Sequence, residues 1–194
     1  MADTAPHPLT ASLRPVMDVL LQEMALEPRA ASSVAWDRPV LVLRSANMTR
    51  MQAFAELVAR VEPADLHVLS HARDEGALRG LLARPFTFQP WQTDGPYTLE
   101  AADPRQLDGL SGLRFETVIF LDPGMVGQKL ERVEELLLAI GARRMLTFLG
   151  DGTLAEPRDW HRRRLAESAF LRLTAWFHCL LEEAGTAAIA ESVK

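Results

Sequence analysis

Residues 114–153 constrain the fold more than any other part of this sequence. An apolar run at 115–121 ends at an Asp-Pro-Gly turn, and a second run at 145–149 ends at Gly-Asp-Gly-Thr. Between the two runs, apolar residues recur at the three- and four-residue spacing of a helix. A strand, a helix and a strand in this order, with short connections, predict a βαβ unit whose two strands are parallel.

The preceding part of the chain repeats this order. Apolar runs at 39–43 and 66–69 suit strands that are covered on both faces, and each is followed by a helical pattern. We therefore predict an α/β fold: an open, mostly parallel Rossmann-like sheet of about five strands with helices on both faces, plus added N- and C-terminal helices. In the proline-rich residues 85–112 we expect a third strand near 86–88 and a helical turn at 104–110.

The length of 194 residues suits one domain. We expect a mobile N-terminus at 1–11 and a single domain at 12–194, divided into an N-terminal helix at 12–28, a Rossmann-like core at 38–153 and a C-terminal helix at 157–185. The C-terminal helix has a wide apolar face that includes Leu173, Trp176, Phe177 and Leu180. Such a face requires cover. Either the N-terminal helix or a second copy of the chain would supply it.

Composition excludes several classes of function. The net charge of −5 argues against a general nucleic-acid binder, and the single cysteine excludes an intrachain disulfide and a multi-cysteine metal site. The histidines form no metal-binding motif, so we predict no metal and no cofactor. No uninterrupted apolar stretch approaches the roughly 18 residues of a membrane span. The N-terminus lacks the pattern of a signal peptide, and we therefore expect a cytoplasmic protein.

A ligand of a parallel sheet binds beyond the carboxyl ends of the strands, where four predicted loops meet. These loops contain hydroxyl, amide, arginine, histidine and aspartate side chains, which suit a polar or anionic ligand. The predicted ligand-binding residues are Ser45, Asn47, Thr49, Arg50, Arg73, Gly124, Gly152 and Thr153. The candidate catalytic residues are His71, Asp122 and Asp151. His71 is the only histidine predicted at a strand end, near the expected ligand, and is therefore the candidate general acid or base.

A purely structural interpretation of the same loops is the alternative. Serine, asparagine, aspartate and glycine are the residues that helix caps and turns require. The chain has neither the G-x-G-x-x-G pattern of dinucleotide sites nor the phosphate loop of nucleotide hydrolases. It also lacks the G-x-S-x-G elbow of serine hydrolases. No acidic pair follows the first strand, so the phospho-acceptor site of receiver domains is not predicted.

The order of segments resembles the N-terminal Rossmann-like half of GT-B glycosyltransferases of the heptosyltransferase type. The matching stretches are residues 40–44, 66–71 and 115–152, within a region of about 38–153. In that family the loop after the first strand faces the acceptor, and here this loop is 45–49, without the expected Gly-Asp pair. The resemblance implies a transferase architecture without the donor-binding domain, so transfer would require a partner domain.

Two functions follow from these patterns. The first is a non-catalytic accessory or binding protein that uses the sheet as a scaffold and associates with a protein partner or with itself, as a homodimer, through the terminal helices. The second is a transferase-like enzyme subunit that binds a polar or phosphorylated ligand, such as a nucleotide or sugar nucleotide, at the strand ends. The missing catalytic motifs and the apolar C-terminal helix favour the first.

Overall fold

A computed structural model gives the structure of the chain and describes residues 8–93, 95–122 and 130–192. The chain divides into two compact units. A helical unit is formed by Met1–Glu27 with Pro157–Lys194, and an α/β unit by Pro28–Glu156. Each unit is described by itself below.

The described residues form six α-helices and seven strands, together with 3-10 turns at Ala31–Ser33 and Ala72–Asp74. The helices are α1 (Pro8–Met24), α2 (Met48–Val61), α3 (Glu75–Leu81), α4 (Pro104–Gly112), α5 (Leu130–Ile140) and α6 (Trp160–Ser192). The strands are β1 (Leu26–Arg29), β2 (Pro39–Leu43), β3 (Asp65–His71), β4 (Thr87–Trp91), β5 (Thr117–Leu121), β6 (Arg144–Phe148) and β7 (Leu154–Pro157).

The seven strands form a single sheet in the order β1-β7-β6-β5-β2-β3-β4. The five strands from β4 to β6 are parallel to their neighbours, and β7 pairs antiparallel with β6. The prediction of an α/β fold with a mostly parallel sheet is confirmed. The expected count of about five strands was wrong, because two four-residue strands, β1 and β7, extend the sheet beyond β6.

One face of the sheet packs against α2 and α3. Asn47 caps α2, because its side chain accepts a hydrogen bond from the backbone nitrogen of Arg50 at 3.0 Å. The apolar stripe of α2 then buries Met51, Phe54, Leu57 and Val58 in one cluster with alternate residues of the parallel strands. Within this cluster Phe54 meets Phe148 of β6 edge to face, with ring centroids 5.2 Å apart.

The opposite face of the sheet is also covered. The other alternate residues of the same strands, including Leu41 of β2 and Phe120 of β5, are fully buried. So are Leu136 and Leu137 of α5, which contacts α4. Burial on both faces explains why β2 and β5 are continuous apolar runs rather than alternating ones.

The helical unit consists of α1 packed against α6. Helix α1 begins at Pro8 and ends at Met24, whereas the sequence predicted 12–28; the last of those residues belong to β1. Helix α6 continues to Ser192 through Gly185, the predicted end, because one glycine costs a helix only about 1 kcal/mol. Residues 1–7, most of the expected mobile N-terminus, lie outside the described residues. No helix among the described residues has the length and apolarity to cross a bilayer.

Candidate functional site at the carboxyl edge of the sheet

The order of the sheet reverses between β2 and β5, which lie side by side although two strands separate them in sequence. In open parallel sheets this reversal forms the crevice where ligands bind. The hydroxyl of Ser45, which follows β2, donates to the carbonyl oxygen of Leu121 at 2.5 Å and ties the two strand ends together. Asp122 follows β5 directly, and its backbone nitrogen donates to Phe148 at 3.0 Å. Gly124 lies outside the described residues.

The N-terminus of α2 lies beside this crevice and holds three predicted site residues. Asn47 is exposed, yet its side-chain oxygen is used by the cap. The first hydrogen bond of the helix runs from Met51 to the carbonyl oxygen of Asn47, at 3.1 Å. The N–H groups of Met48 and Thr49 precede that bond and therefore have no acceptor within the helix. The structural interpretation thus accounts for Asn47 completely and leaves the end of the helix polar.

Arg50 reaches from α2 to the turn between β6 and β7. Its guanidinium lies against Gly150 so closely that a Cβ added there would clash with Nη1. In this turn, Oδ1 of Asp151 accepts hydrogen bonds from the hydroxyl of Thr153 at 2.7 Å and from its backbone nitrogen at 3.0 Å. These two bonds, with a smaller contribution from the positive charge of Arg50, lower the pKa of Asp151 below its ordinary value.

The connection after β6 leads to a strand, β7, that the sequence did not predict. It is a hairpin turn between antiparallel strands, in which the backbone nitrogen of Leu149 donates to Thr153 at 2.8 Å. Gly152 occupies the turn with a φ of 83°, which favours glycine. The structure therefore brings together Arg50, Asp151 and Thr153, and it gives Asp151 and Gly152 roles that the turn itself explains.

A polar network that the sequence did not predict lies at the ends of β2 and β3. Arg44 forms an ion pair with Asp74, donates from Nε to the hydroxyl of Ser70 at 2.9 Å, and donates from Nη1 to the carbonyl oxygen of Ala46 at 3.0 Å. The Ser70 hydroxyl in turn donates to Asp74 at 3.1 Å. Ser70 is fully buried, and a buried charge is stable only when it is paired in this way.

His71 is held on both sides of its ring. Its Nε2 lies 3.0 Å from the carbonyl oxygen of Gly95, which only accepts, so Nε2 carries the proton. The other nitrogen, Nδ1, is then an acceptor and takes the proton of the Tyr97 hydroxyl, 2.9 Å away. That hydroxyl also accepts from the backbone nitrogen of His71 at 3.2 Å. A buried ring with two engaged nitrogens serves to anchor the loop that contains Tyr97; a role in acid–base chemistry stays a prediction.

Tyr97 is buried beside these charges. Burial raises the pKa of its hydroxyl above the ordinary value, while the positive charge of the nearby Arg44 acts in the opposite direction. The ring of Tyr97 also contacts the rings of His71 and Trp91, with centroids 4.8 and 5.4 Å away. The loop after β4 is therefore fastened to the end of β3 by hydrogen bonds and by ring packing.

Two further predicted site residues, Thr49 and Arg73, are exposed. Arg73 lies in the 3-10 turn after β3, whereas Thr49 lies in the first turn of α2. No group of three histidine, cysteine, aspartate or glutamate side chains in the described ranges is arranged to hold a metal ion.

No family model, curated protein or solved structure matches the chain significantly.

Proposed function

We propose that this chain is a non-catalytic binding protein that associates with a second copy of itself through its helical unit. The observation that carries the proposal is the distribution of exposed apolar side chains. Six of the nine large apolar side chains that are exposed in the described ranges lie on α1 and α6, and Ala166 is the one buried apolar residue among the described side chains of these two helices. The six are Val16, Val19, Leu21, Leu165, Leu171 and Trp176.

Two of the three exposed apolar residues named on α6, Leu165 and Trp176, share a face. Leu165 and Trp176 are 73% and 48% exposed and are separated by eleven residues, which is close to three helical turns. They therefore lie on the same stripe of the helix, where a second helix would cover both. Of the partner-binding residues predicted from the sequence, Trp176 is exposed, and Leu173, Phe177 and Leu180 are half-buried. Exposed apolar side chains on one stripe of a helix offer a surface for association with a second helix.

The carboxyl edge of the sheet gives the complementary argument. The side chains of Ser45, Asn47, His71 and Asp151 all make hydrogen bonds within the α/β unit. These bonds stabilise loops and a helix end, and none of them requires a substrate. A scaffold role explains them with no further assumption. We extend the proposal to a cytoplasmic location, which suits a chain with a single cysteine.

Light scattering coupled to gel filtration tests the association. The wild-type protein is expected at twice the monomer mass, and the double variant Leu165→Ser with Trp176→Ser is expected as a monomer. Leu113→Ser is the matched control, because Leu113 is 41% exposed but lies in the α/β unit. A wild-type protein that stays monomeric at every concentration, or a control that dissociates as the double variant does, refutes the proposal.

The exposed Cys179 of α6 offers a second readout. A spin label attached there reports the distance between copies, because the chain contains no other cysteine. We expect a dipolar signal between two labels in the wild-type background and none in the double variant. If light scattering shows a dimer but the two labels give no dipolar signal, the interface lies away from α6.

A second candidate function is a transferase-like subunit that binds a phosphorylated ligand, in keeping with the resemblance to GT-B glycosyltransferases. The observation that favours it is the position of Arg50, in the first turn of α2 and against Gly150, where a helix N-terminus and a guanidinium are next to each other. A thermal-shift screen of nucleotides and sugar nucleotides tests it. A stabilisation that Arg50→Ala removes supports this function, and a flat screen contradicts it.

A further inference from the structure

A cavity opens at the amino edge of the sheet, opposite the site described above. Its volume is about 550 Å³, and it lies where β2, β5 and β6 begin. The charged residues in its lining are Arg38, Arg114, Arg143 and Glu116, and Ser111 also belongs to the lining. All these residues belong to the α/β unit. Small-molecule sites have volumes of roughly 300–1,000 Å³, so the cavity is of the right size.

The charges in this cavity do not balance. Arg143 pairs with Glu116, with Nη1 and Oε2 3.4 Å apart. Arg38 has a weak pair with its neighbour Asp37 at 4.0 Å, and both side chains are largely exposed. Arg114 makes no ion pair within the described ranges. Three guanidinium groups therefore share one carboxylate in the lining, and the excess positive charge favours an anion.

Helix ends supply part of the reason for these arginines, but not all of it. Helices α4 and α5 end at Gly112 and Ile140, beside the cavity, and the negative end of a helix dipole attracts cations. One cation beside each helix end would satisfy that preference. A third arginine, Arg38, comes from the segment before β2 and faces the same cavity. The helix dipoles do not explain why three arginines line the same cavity.

The backbone conformation of Arg114 is an independent indication that this residue has a functional role. Its φ is 52°, in the left-handed region that favours glycine. This position follows the cap of α4, where glycine is the usual residue. Residues in this region cost free energy, persist only where the surrounding structure compensates for the strain, and concentrate at functional sites. Glu62, at the end of α2, has a similar φ of 50° and does not line the cavity. At this position Arg114 is one of the residues that line the cavity.

We propose that the cavity binds the phosphate group of a small phosphate monoester. Guanidinium groups match the geometry of phosphate oxygens and donate two parallel hydrogen bonds to them. Arg114, which makes no ion pair within the described ranges, and Arg38, whose pair with Asp37 is weak, supply the positive charge, and Ser111 offers a hydroxyl as a further donor. The carbon surfaces of Ala35, Pro39 and Gly141 line the rest of the cavity and accommodate the organic part of the ester. This site is distinct from the carboxyl edge and goes beyond the proposed association.

Calorimetric titration with phenyl phosphate at low ionic strength tests the site, with phenol as the uncharged control. We expect saturable binding of one phenyl phosphate per chain, no binding of phenol, and loss of affinity as salt is added. Absence of phenyl phosphate binding, or equal binding of phenol, overturns the proposal.

Two variants locate the binding. Arg114→Gly is expected to weaken phenyl phosphate by about tenfold or more and to keep or raise the melting temperature, because glycine relieves the left-handed backbone. Arg38→Ala is expected to weaken it as well, and it keeps the test valid if Arg114→Gly folds poorly. Binding that neither variant changes overturns the proposal.

Substitution of Glu116, the carboxylate in the cavity lining, is expected to change the affinity for phenyl phosphate in the opposite direction. Glu116→Gln removes the negative charge from the lining and is expected to tighten phenyl phosphate, whereas a nonspecific effect of the substitution would weaken it. Arg79→Ala, which removes an arginine of α3 outside the cavity lining, is the matched arginine control and is expected to leave the affinity unchanged. Arg50→Ala tests the carboxyl edge separately. If Arg50→Ala abolishes binding instead, the phosphate binds at the carboxyl edge and the amino-edge site is refuted.

Discussion

The hydroxyl oxygen of Tyr97 lies 2.9 Å from Nδ1 of His71 and 3.2 Å from the backbone nitrogen of the same residue. The Tyr97 hydroxyl therefore forms hydrogen bonds with both the side chain and the main chain of His71, at the end of β3. Because Nε2 of His71 is bound to Gly95, the loop after β4 is attached to the strand at two points. The ordering of this loop thus depends on polar groups that are almost completely buried.

Replacement of Tyr97 by phenylalanine tests this attachment. The substitution keeps the ring and its packing but leaves two buried groups of His71, the acceptor Nδ1 and the backbone N–H, without the hydroxyl. An unsatisfied buried polar group costs about 1–3 kcal/mol, so we expect a loss of about 2 kcal/mol in the free energy of unfolding. Urea denaturation measures it. Unchanged stability would show that the hydroxyl contributes nothing to the loop.

The pH dependence of Tyr97 gives a second prediction. Burial, which is the largest influence, raises the pKa of Tyr97 above the ordinary value of 10.0. A raised pKa favours the protonated form in the folded state, so this contribution to stability is complete below pH 10 and is lost as the pH rises through the folded pKa. Tyr97 is the sole tyrosine, so ultraviolet absorbance follows its ionisation directly. We expect ionisation at higher pH in the folded protein than in urea; an equal or lower pKa contradicts the burial.

Some strands could be predicted from the sequence and others could not, because only some of them are specified by a local pattern of residues. Strands β2 and β5 were predictable because burial on both faces requires continuous apolar runs, PVLVL and TVIFL. Strands β1 and β7 have the sequences LEPR and LAEP, which show neither such a run nor an alternation. Pairing at one side of the sheet, between residues far apart in sequence, makes them strands. That information is not local.

The candidate site shows the same division. Its location followed from parallel topology, and so did the positions of Ser45 and Asp122 at the strand ends. The network of Arg44, Ser70 and Asp74 was missed because its members come from two strands and a turn, 26 to 30 residues apart. One signal was present: an arginine at the end of a fully buried strand requires a nearby partner. The sequence alone does not say which carboxylate is that partner.

Glu156 of β7 connects three parts of the α/β unit. It accepts from Arg29 of β1 at 2.6 Å and from Arg144 of β6 at 2.8 and 3.1 Å, while Arg144 also donates to the carbonyl oxygen of Ser33 at 2.7 Å. Glu156→Gln keeps the shape but removes the charge that these bonds depend on. Because the side chain is 18% exposed, we expect a loss of about 2 kcal/mol at neutral pH, measured by urea denaturation.

The pH dependence of stability provides a second test of the Glu156 ion pairs. Burial opposes ionisation, but the bonds from Arg144 and Arg29 outweigh it, and the pKa lies below the ordinary value of 4.5. The contribution of the carboxylate is therefore complete above pH 4.5 and is lost as the pH falls through the folded pKa. The difference in stability between wild type and Glu156→Gln should shrink in acid. A difference that grows in acid would contradict the ion pairs.

Two glycines of the β6–β7 turn should respond differently to the same substitution. At Gly152 the φ of 83° is strained for any residue with a Cβ, so Gly152→Ala is expected to cost about 1 kcal/mol, although the space around it is open. At Gly150 the obstacle is the end of the Arg50 side chain, which moves readily. Gly150→Ala should therefore change the free energy of unfolding by less than about 0.5 kcal/mol. Thermal denaturation compares them, and equal costs would refute the distinction.

Substitutions at Asn47 decide between a structural and a ligand-binding role for the start of α2. The cap bond to Arg50 predicts that Asn47→Ala costs about 1 kcal/mol, whereas Asn47→Asp keeps an acceptor and adds a negative charge that the helix N-terminus favours. If capping is its whole function, Asn47→Asp retains stability and changes nothing else. If the end of α2 holds an anion, the same substitution keeps the fold but repels the ligand, and the thermal shift produced by a sugar nucleotide disappears. Asn47→Asp therefore separates the two roles, because it conserves the cap and reverses the electrostatic preference of the site.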